Sequence, residues 1–287
     1  MLAIVGTLSD PAIPVLDGPV DLVDGRLEVA GQEVFPDRGT PALLGAATAA
    51  CIHLGLNPPH AFLVGDEGLG RGSRALYDHL ARTLANRTIS TLALHYLQPD
   101  VDWHNRILLA VQSMAVCPLL VADAGFMYAA KMSGQARHYA LFTPDAGELA
   151  FLADETAPHP FYTRGFILQD ENRVPELIAR AYKHHNAARC LLVKGSADRI
   201  ATESGVLTRV DGPCLEVMEA MGGTGDTITG VACALIEFGL DVPFAAHVAA
   251  QTNRYAGELA TPTPASQIGE LVAHIPTALT RALAESR

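Results

Sequence analysis

Paired cysteines are missing from this sequence. Cys51, Cys117, Cys190, Cys214 and Cys233 are odd in number, scattered, and never spaced as Cys-x-x-Cys. Most lie in apolar runs such as "CLLVKG" and "VACALI", which reads as reduced thiols in a core rather than a disulfide framework. Positive charge is also scarce, with 20 Lys and Arg against 31 Asp and Glu, a formal net charge of −11 and a pI near 5.4. Nucleic acid and anionic membrane surfaces both need clustered cations, so neither is expected as the main partner. Long apolar runs are absent too. The opening "MLAIVGTLSDP" has no basic leader, and its apolar run is far shorter than the roughly 20 residues a membrane span needs. These absences predict a cytoplasmic protein that works on a small ligand.

What is present is enough apolar residue, 49% of 287, to bury one large core. Apolar segments alternate along the chain between strand and helix patterns. "HAFLVG", "TISTLALHYL", "CPLLVADAG", "HYALFTP" and "ARCLLVKGS" read as strands. "ALLGAATAACIHLGL", "SRALYDHLARTLANR" after a Ser73 cap, "HNRILLAVQSM", "ELAFLAD" and "RVPELIARAYKHHN" read as helices. "RIATES" and "VLTRVDG" form a strand pair, and "DETAPHPFYTRGF" reads as a flexible loop. Such alternation predicts an α/β fold, a single domain over residues 1–287 with a mostly parallel central sheet and helices on both faces. Ligands in such sheets sit beyond the carboxyl ends of the strands. Asp66, Asp123, the segment Thr143 to Glu148, and Lys194 all fall there.

The densest chemistry is in "EAMGGTGDTITGVACALIEFGL". Gly222, Gly223 and Gly225 allow a sharp turn that brings N–H groups close to an anion, and a helix from about Thr227 adds the positive end of its dipole. Asp226 would repel the anion that the glycines attract. It makes sense as the acceptor of a proton from a hydroxyl reacting beside a phosphate. A plain helix N-cap carboxylate is the alternative. "GDEGLGRGS" nearly spells a P-loop but offers Arg71 and Gly72 where Lys and Ser or Thr are required. It reads as a glycine-rich turn whose Asp66 borders a substrate pocket. No histidine pair has metal-ligand spacing, while His95, Trp103 and His104 fall near a strand end and are candidates for a substrate contact.

"GGTGDTITG" matches the glycine–aspartate signature of ribokinase-like proteins, and its form resembles most the ATP- or ADP-dependent NAD(P)H-hydrate dehydratases of that superfamily. "LFTPDAGELAFL", "LLVKGSADRIATESG", "VADAG", "LLGAATAACIHLGL" and "RYAGELA" resemble further family segments in the right order. The resemblance implies a ribokinase-like fold that binds ATP or ADP with Mg²⁺, and pairing or higher homo-oligomers. It makes Asp226 the base, with Gly223, Thr224 and Gly225 as the anion hole. Lys194, Gly195, Ser196, Gly222, Gly225 and Asn253 would line the nucleotide, and Asp145 with Glu148 would hold the Mg²⁺. A surface lysine closing a turn, and an ordinary helix-start carboxylate, are the plainer readings of Lys194 and Glu148. Gly45, Ala46, Asp66, Asp123, Asp145 and Asp226 would face the substrate. The chain departs from the family on that side. It has Asp145 where the dehydratases have His, and "LHYLQPDVDWHNR" where they carry a Gly-Pro-Gly loop. A kinase of a small alcohol, such as a sugar, vitamin precursor or thiazole, is therefore an alternative product of the same site. A nucleotide-binding sensor without turnover is a third reading, against which the retained Asp226 counts.

Overall fold

The computed structural model describes residues 1–24, 26–160, 163 and 173–286. In chain order the elements are β1 (Leu2–Leu8), β2 (Leu16–Val23), β3 (Arg26–Val29), β4 (Gln32–Val34), α1 (Thr40–His53), β5 (His60–Gly65), α2 (Arg71–Thr83), β6 (Thr91–Leu94), α3 (Val101–Gln112), β7 (Leu119–Ala122), α4 (Gly125–Met132), β8 (Leu141–Phe142), α5 (Ala146–Ala153), α6 (Val174–Lys183), β9 (Cys190–Val193), β10 (Asp198–Thr202), β11 (Gly205–Val210), α7 (Thr224–Glu237), α8 (Val242–Ala260) and α9 (Ile268–Glu285). All the strands join one sheet, in the order β11-β10-β9-β8-β7-β6-β1-β5-β2-β3-β4. From β9 to β5 the strands run parallel. The β10–β11 hairpin extends one edge in antiparallel sense, and β2, β3 and β4 extend the other.

Both faces of the parallel part are covered, so its strands are apolar on both sides. In β1, Leu2 and Ile4 point into the core formed with α1, α7, α8 and α9, while Ala3 and Val5 point into the core formed with α2 to α6. Strand order reverses between β1 and β6, since β5 lies on one side of β1 and β6 on the other. The crevice beyond the carboxyl ends at such a reversal is the usual ligand position in an open α/β sheet.

Several local boundaries differ from the sequence reading. The arm β2–β4 is new; its β3–β4 turn, Ala30 and Gly31, has φ of 50° and 80°, the left-handed pair that a tight hairpin needs. Helix α2 starts at Arg71 behind a left-handed Gly70, not behind a Ser73 cap. The Ser73 hydroxyl instead donates to Asp66 and accepts from the Gln98 N–H. Helix α7 starts at Thr224, ahead of the expected Thr227, with left-handed Gly223 as its N-cap. Of the loop "DETAPHPFYTRGF", residues 161, 162 and 164–166 lie outside the described residues. Cys51, Cys190 and Cys233 are buried as expected, whereas Cys117 and Cys214 are exposed. Among the described residues no helix is long and apolar enough to cross a membrane.

Helices α1 and α7 pack closely through small residues. A Cβ at Gly230 would lie 2.2 Å from the Leu43 carbonyl oxygen and 3.1 Å from the Ala46 Cβ. Gly230→Ala should gain about 1 kcal/mol of helix propensity. It should lose about 3 kcal/mol to overpacking against backbone that cannot yield. A net loss of about 2 kcal/mol and a melting temperature several degrees lower are the expected result of thermal unfolding. Asp226 stands one turn before Gly230, so the same variant should also lose activity.

Candidate active site

A cavity of about 570 Å³ opens beyond the carboxyl ends of β6 to β9, between the first turn of α7 and the turn after β9. Thr224, Gly225 and Asp226 line one wall, and Lys194, Gly195 and Ser196 line another. Asp123, Asp145, Glu148 and Asn253 complete the set of expected residues that meet there.

Asp226 spends its carboxylate across the cavity wall and not on capping its own helix. Its Oδ2 accepts from the Gly39 N–H at 2.8 Å, and its Oδ1 lies 3.0 Å from His95 Nε2. Burial pushes the Asp226 pKa up, but the hydrogen bond from His95, the Lys194 ammonium and the Gly39 N–H together hold it below its ordinary value. The group is therefore a carboxylate at neutral pH, ready to accept a proton.

Lys194 is not a loose surface lysine. Its Nζ donates to both oxygens of Asp123, at 2.9 and 3.0 Å. Burial alone would lower its pKa, yet Asp123, Glu148 and Asp226 raise it, so the ammonium keeps its charge. The Lys194 stem lies beside α7, where a Cβ at Gly225 would meet it at an ordinary contact distance of 3.4 Å. Asp123 is itself 1% exposed and also accepts from the Ala124 N–H and the Thr229 hydroxyl.

Asp145 and Glu148 form a reciprocal capping box at the start of α5: the Glu148 N–H donates to Asp145 Oδ1, and the Asp145 N–H donates to Glu148 Oε2. The plain helix-start reading is thus satisfied, and the second oxygens stand outside the box: Asp145 Oδ2, and Glu148 Oε1, which lies 3.5 Å from the Tyr128 hydroxyl. Burial first, then the neighbouring Asp145 charge, pushes the Glu148 pKa up to about 8, with Lys194 opposing. Two neighbouring carboxyl groups on the cavity wall fit a hard divalent cation, whose oxygen ligands they would supply. His95, Asp123 and Asp226 also bring ligand atoms within 4.8 Å of one another. Lys194 and Thr229 already engage Asp123, and Gly39 and His95 engage Asp226, so this cluster reads as a proton network.

Other expected residues stand elsewhere. Gly222 and Gly223 lie behind the wall, packed on Arg38, Ala42 and Ile268, and shape the turn; a Cβ at Gly223 would be 3.0 Å from the Ala42 Cβ. Gly45 and Ala46 do not reach the cavity. Both are buried in α1, where Gly45 meets Pro36 and Ala46 meets Gly230. Asp66 is withdrawn as well, because its carboxylate accepts from the N–H groups of Gly68, Gly70 and Ser73 and so folds its own loop. Asn253 faces the cavity, but its amide ties α8 to the first turn of α7 through Thr224 and Thr227. Of the three candidates near β6, only His95 reaches the site. His104 is buried between Tyr139 and Ser133, with burial lowering its pKa to about 4, and Trp103 stacks on Tyr77.

Three features escaped the sequence reading. Arg254 and Asp198, 2.9 Å apart and both buried, cinch the turn after β9: Arg254 donates to the carbonyls of Gly195 and Ser196, and Asp198 accepts from the Gly195 N–H. Tyr96 lines the cavity in the left-handed region, φ 42°, with its carbonyl held by the Thr7 hydroxyl. Thr40 is buried against His95. An arginine late in α8, in "QTNRYAG", was the one available signal for the first; the other two carry none.

The family model described as NAD(P)H-hydrate dehydratase matches residues 98–280. An uncharacterized protein of Methanocaldococcus jannaschii is 36% identical over 242 residues, which cover 84% of this chain and 100% of that one. A ribokinase-like superfamily protein of Enterococcus faecalis superposes with a TM-score of 0.59 at 14% identity, over 98% of this chain and 87% of the other. The ADP/ATP-dependent NAD(P)H-hydrate dehydratase of Bacillus subtilis, co-crystallized with ATP and Mg²⁺, gives 0.59 at 14% identity, over 98% and 89%. The fold is ribokinase-like α/β, as the resemblance implied.

Proposed function

The chain belongs to the NAD(P)H-hydrate dehydratase family, and on that premise we propose that it uses ATP or ADP to phosphorylate the hydroxyl of a hydrated nicotinamide dinucleotide and then eliminates phosphate to return NAD(P)H. The observation that carries this reading is Asp226, a carboxylate held ionised in the first turn of a 14-residue helix and open to the cavity that Lys194 also lines.

Asp226 takes the hydroxyl proton as the oxygen attacks the terminal phosphorus, and the bond from phosphorus to the bridging oxygen breaks. The first-turn N–H groups of α7, with its dipole, stabilise the negative charge on the transferring group, and Lys194 neutralises phosphate charge from the other wall. The Arg254–Asp198 pair keeps the Gly195–Ser196 turn in shape for the nucleotide. Asp145 and Glu148 would hold Mg²⁺, which supplies neutralisation of the phosphate oxygens. In the second step the C–O bond breaks, the phosphate leaves with the electron pair, and loss of a neighbouring proton restores the ring double bond.

The test is to incubate the protein with hydrated NADH, Mg²⁺ and either nucleotide, and to follow the reduced-nicotinamide absorbance. Recovery that needs both nucleotide and Mg²⁺ supports the reading; no recovery, with nucleotide bound, overturns it. Tyr96, half exposed on the wall where the dehydratases are expected to carry glycines, favours a second reading, a kinase that keeps its phosphate ester. A stable ester formed from a small alcohol would identify it.

A further inference from the structure

We propose that His95 is a positioning residue: its Nε2–H, oriented by Thr40, aims the Asp226 carboxylate at the reacting hydroxyl. The inference rests on reading Asp226 as the base. His95 is completely buried, and each ring nitrogen has one partner, Asp226 Oδ1 at 3.0 Å from Nε2 and Thr40 Oγ1 at 3.0 Å from Nδ1. An ionised carboxylate only accepts, so Nε2 carries the proton, and the Thr40 hydroxyl, which can donate or accept, completes the contact at Nδ1. Asp123 Oδ2 is farther from Nε2, at 4.0 Å, and is engaged by Lys194 and Thr229. The ring therefore donates to Asp226.

The surroundings are built for this chain of bonds. A Cβ at Gly6 would lie 2.3 Å from Thr40 Oγ1 and 2.5 Å from its Cγ2, so Thr40 fits only because β1 carries glycine there. The next residue back in the chain, Gly39, donates to the other oxygen of Asp226. One strand, the start of α1 and the segment after β6 thus converge on a single side chain of α7. A carboxylate that merely capped its helix would need none of them, and neither of its bonds described above goes to α7.

Four variants test the inference. His95→Ala should lower kcat about 100-fold and leave the nucleotide KM within about twofold, because the base remains but its aim is lost. His95→Gln, whose amide nitrogen reaches the position of Nε2, should recover at least tenfold of that loss. Thr40→Val should cost about tenfold alone and nothing further in the His95→Ala background, since both act through the same bond. Crystal structures of His95→Ala and His95→Gln should show the Asp226 carboxylate turned away in the first and restored in the second. If the unmodified protein does not act on hydrated nicotinamide, the proposed substrate falls while those structures still decide the role of His95. An unmoved Asp226 in His95→Ala, equal kcat losses in the Ala and Gln variants, or additive losses with Thr40→Val would overturn it.

Discussion

Asp226→Asn is expected to lower turnover by about 10²–10⁴-fold, while nucleotide affinity stays within about threefold. The amide cannot take a proton, but it has nearly the shape of the carboxylate and can keep the Gly39 bond through its oxygen. Its NH₂ would face His95 Nε2, and the imidazole can answer by moving its proton to Nδ1 while the Thr40 hydroxyl turns to accept. Fold stability should therefore change little, and the loss should lie in kcat. The pH dependence follows from the direction of the Asp226 shift. The group loses its ability to accept a proton only as pH falls through its own pKa, which His95, Lys194 and Gly39 hold below the ordinary 3.8 against the effect of burial. Any fall in rate on the acid side at higher pH must then come from another group. A steady-state pH profile of the unmodified protein beside nucleotide titration of the variant checks both statements.

Lys194→Met should damage stability and binding together. An exposed ion pair would contribute up to about 1 kcal/mol, and its loss would pass unnoticed. Here Asp123 is 1% exposed and the Lys194 side chain 12%, so the methionine leaves a buried carboxylate with only the Ala124 N–H and Thr229 hydroxyl as close donors. Breaking a buried pair in this way costs about 3–5 kcal/mol. Loss of one charge-assisted contact to phosphate should weaken nucleotide binding by about 10- to 100-fold. Adding Asp123→Leu removes the stranded charge. It should restore more than half of the stability, but none of the nucleotide affinity, which denaturant unfolding and calorimetric titration separate.

The residues that were legible in the sequence share a signature. Lys194, Asp123 and Asp145 each follow an apolar strand, Asp226 opens an apolar helix, and the alternation of elements sends all four to the carboxyl ends of the strands. The glycines of "GGTGD" were readable because few other demands on a backbone call for so many small residues before a helix. Gly45 and Ala46 misled for the same reason. Small residues in α1 serve close packing against α7, which a sequence pattern does not distinguish from close approach to a ligand. Asp66 follows a strand as Asp123 does, and only the three N–H groups that surround it show that its charge is spent locally. His95 and His104 look alike in "LHYLQPDVDWH", yet one sits at the sheet crevice and the other on the core-facing side of α3. The hairpin arm at 16–34 has no clear pattern because β2 is broken by Gly, Pro and Asp, and β3 and β4 are only four and three residues long. Arg254 and Asp198 are 56 residues apart, a separation at which no local pattern links them.

The central claim is that the substrate hydroxyl itself attacks phosphorus at the Asp226 site. Hydrated NADH prepared with heavy oxygen in that hydroxyl decides it. Transfer followed by elimination carries the labelled oxygen into the released inorganic phosphate, because the new P–O bond is kept and the C–O bond is the one broken. Mass analysis of the phosphate should therefore find one labelled oxygen for each NADH formed. Label recovered in water, with unlabelled phosphate, would contradict the account.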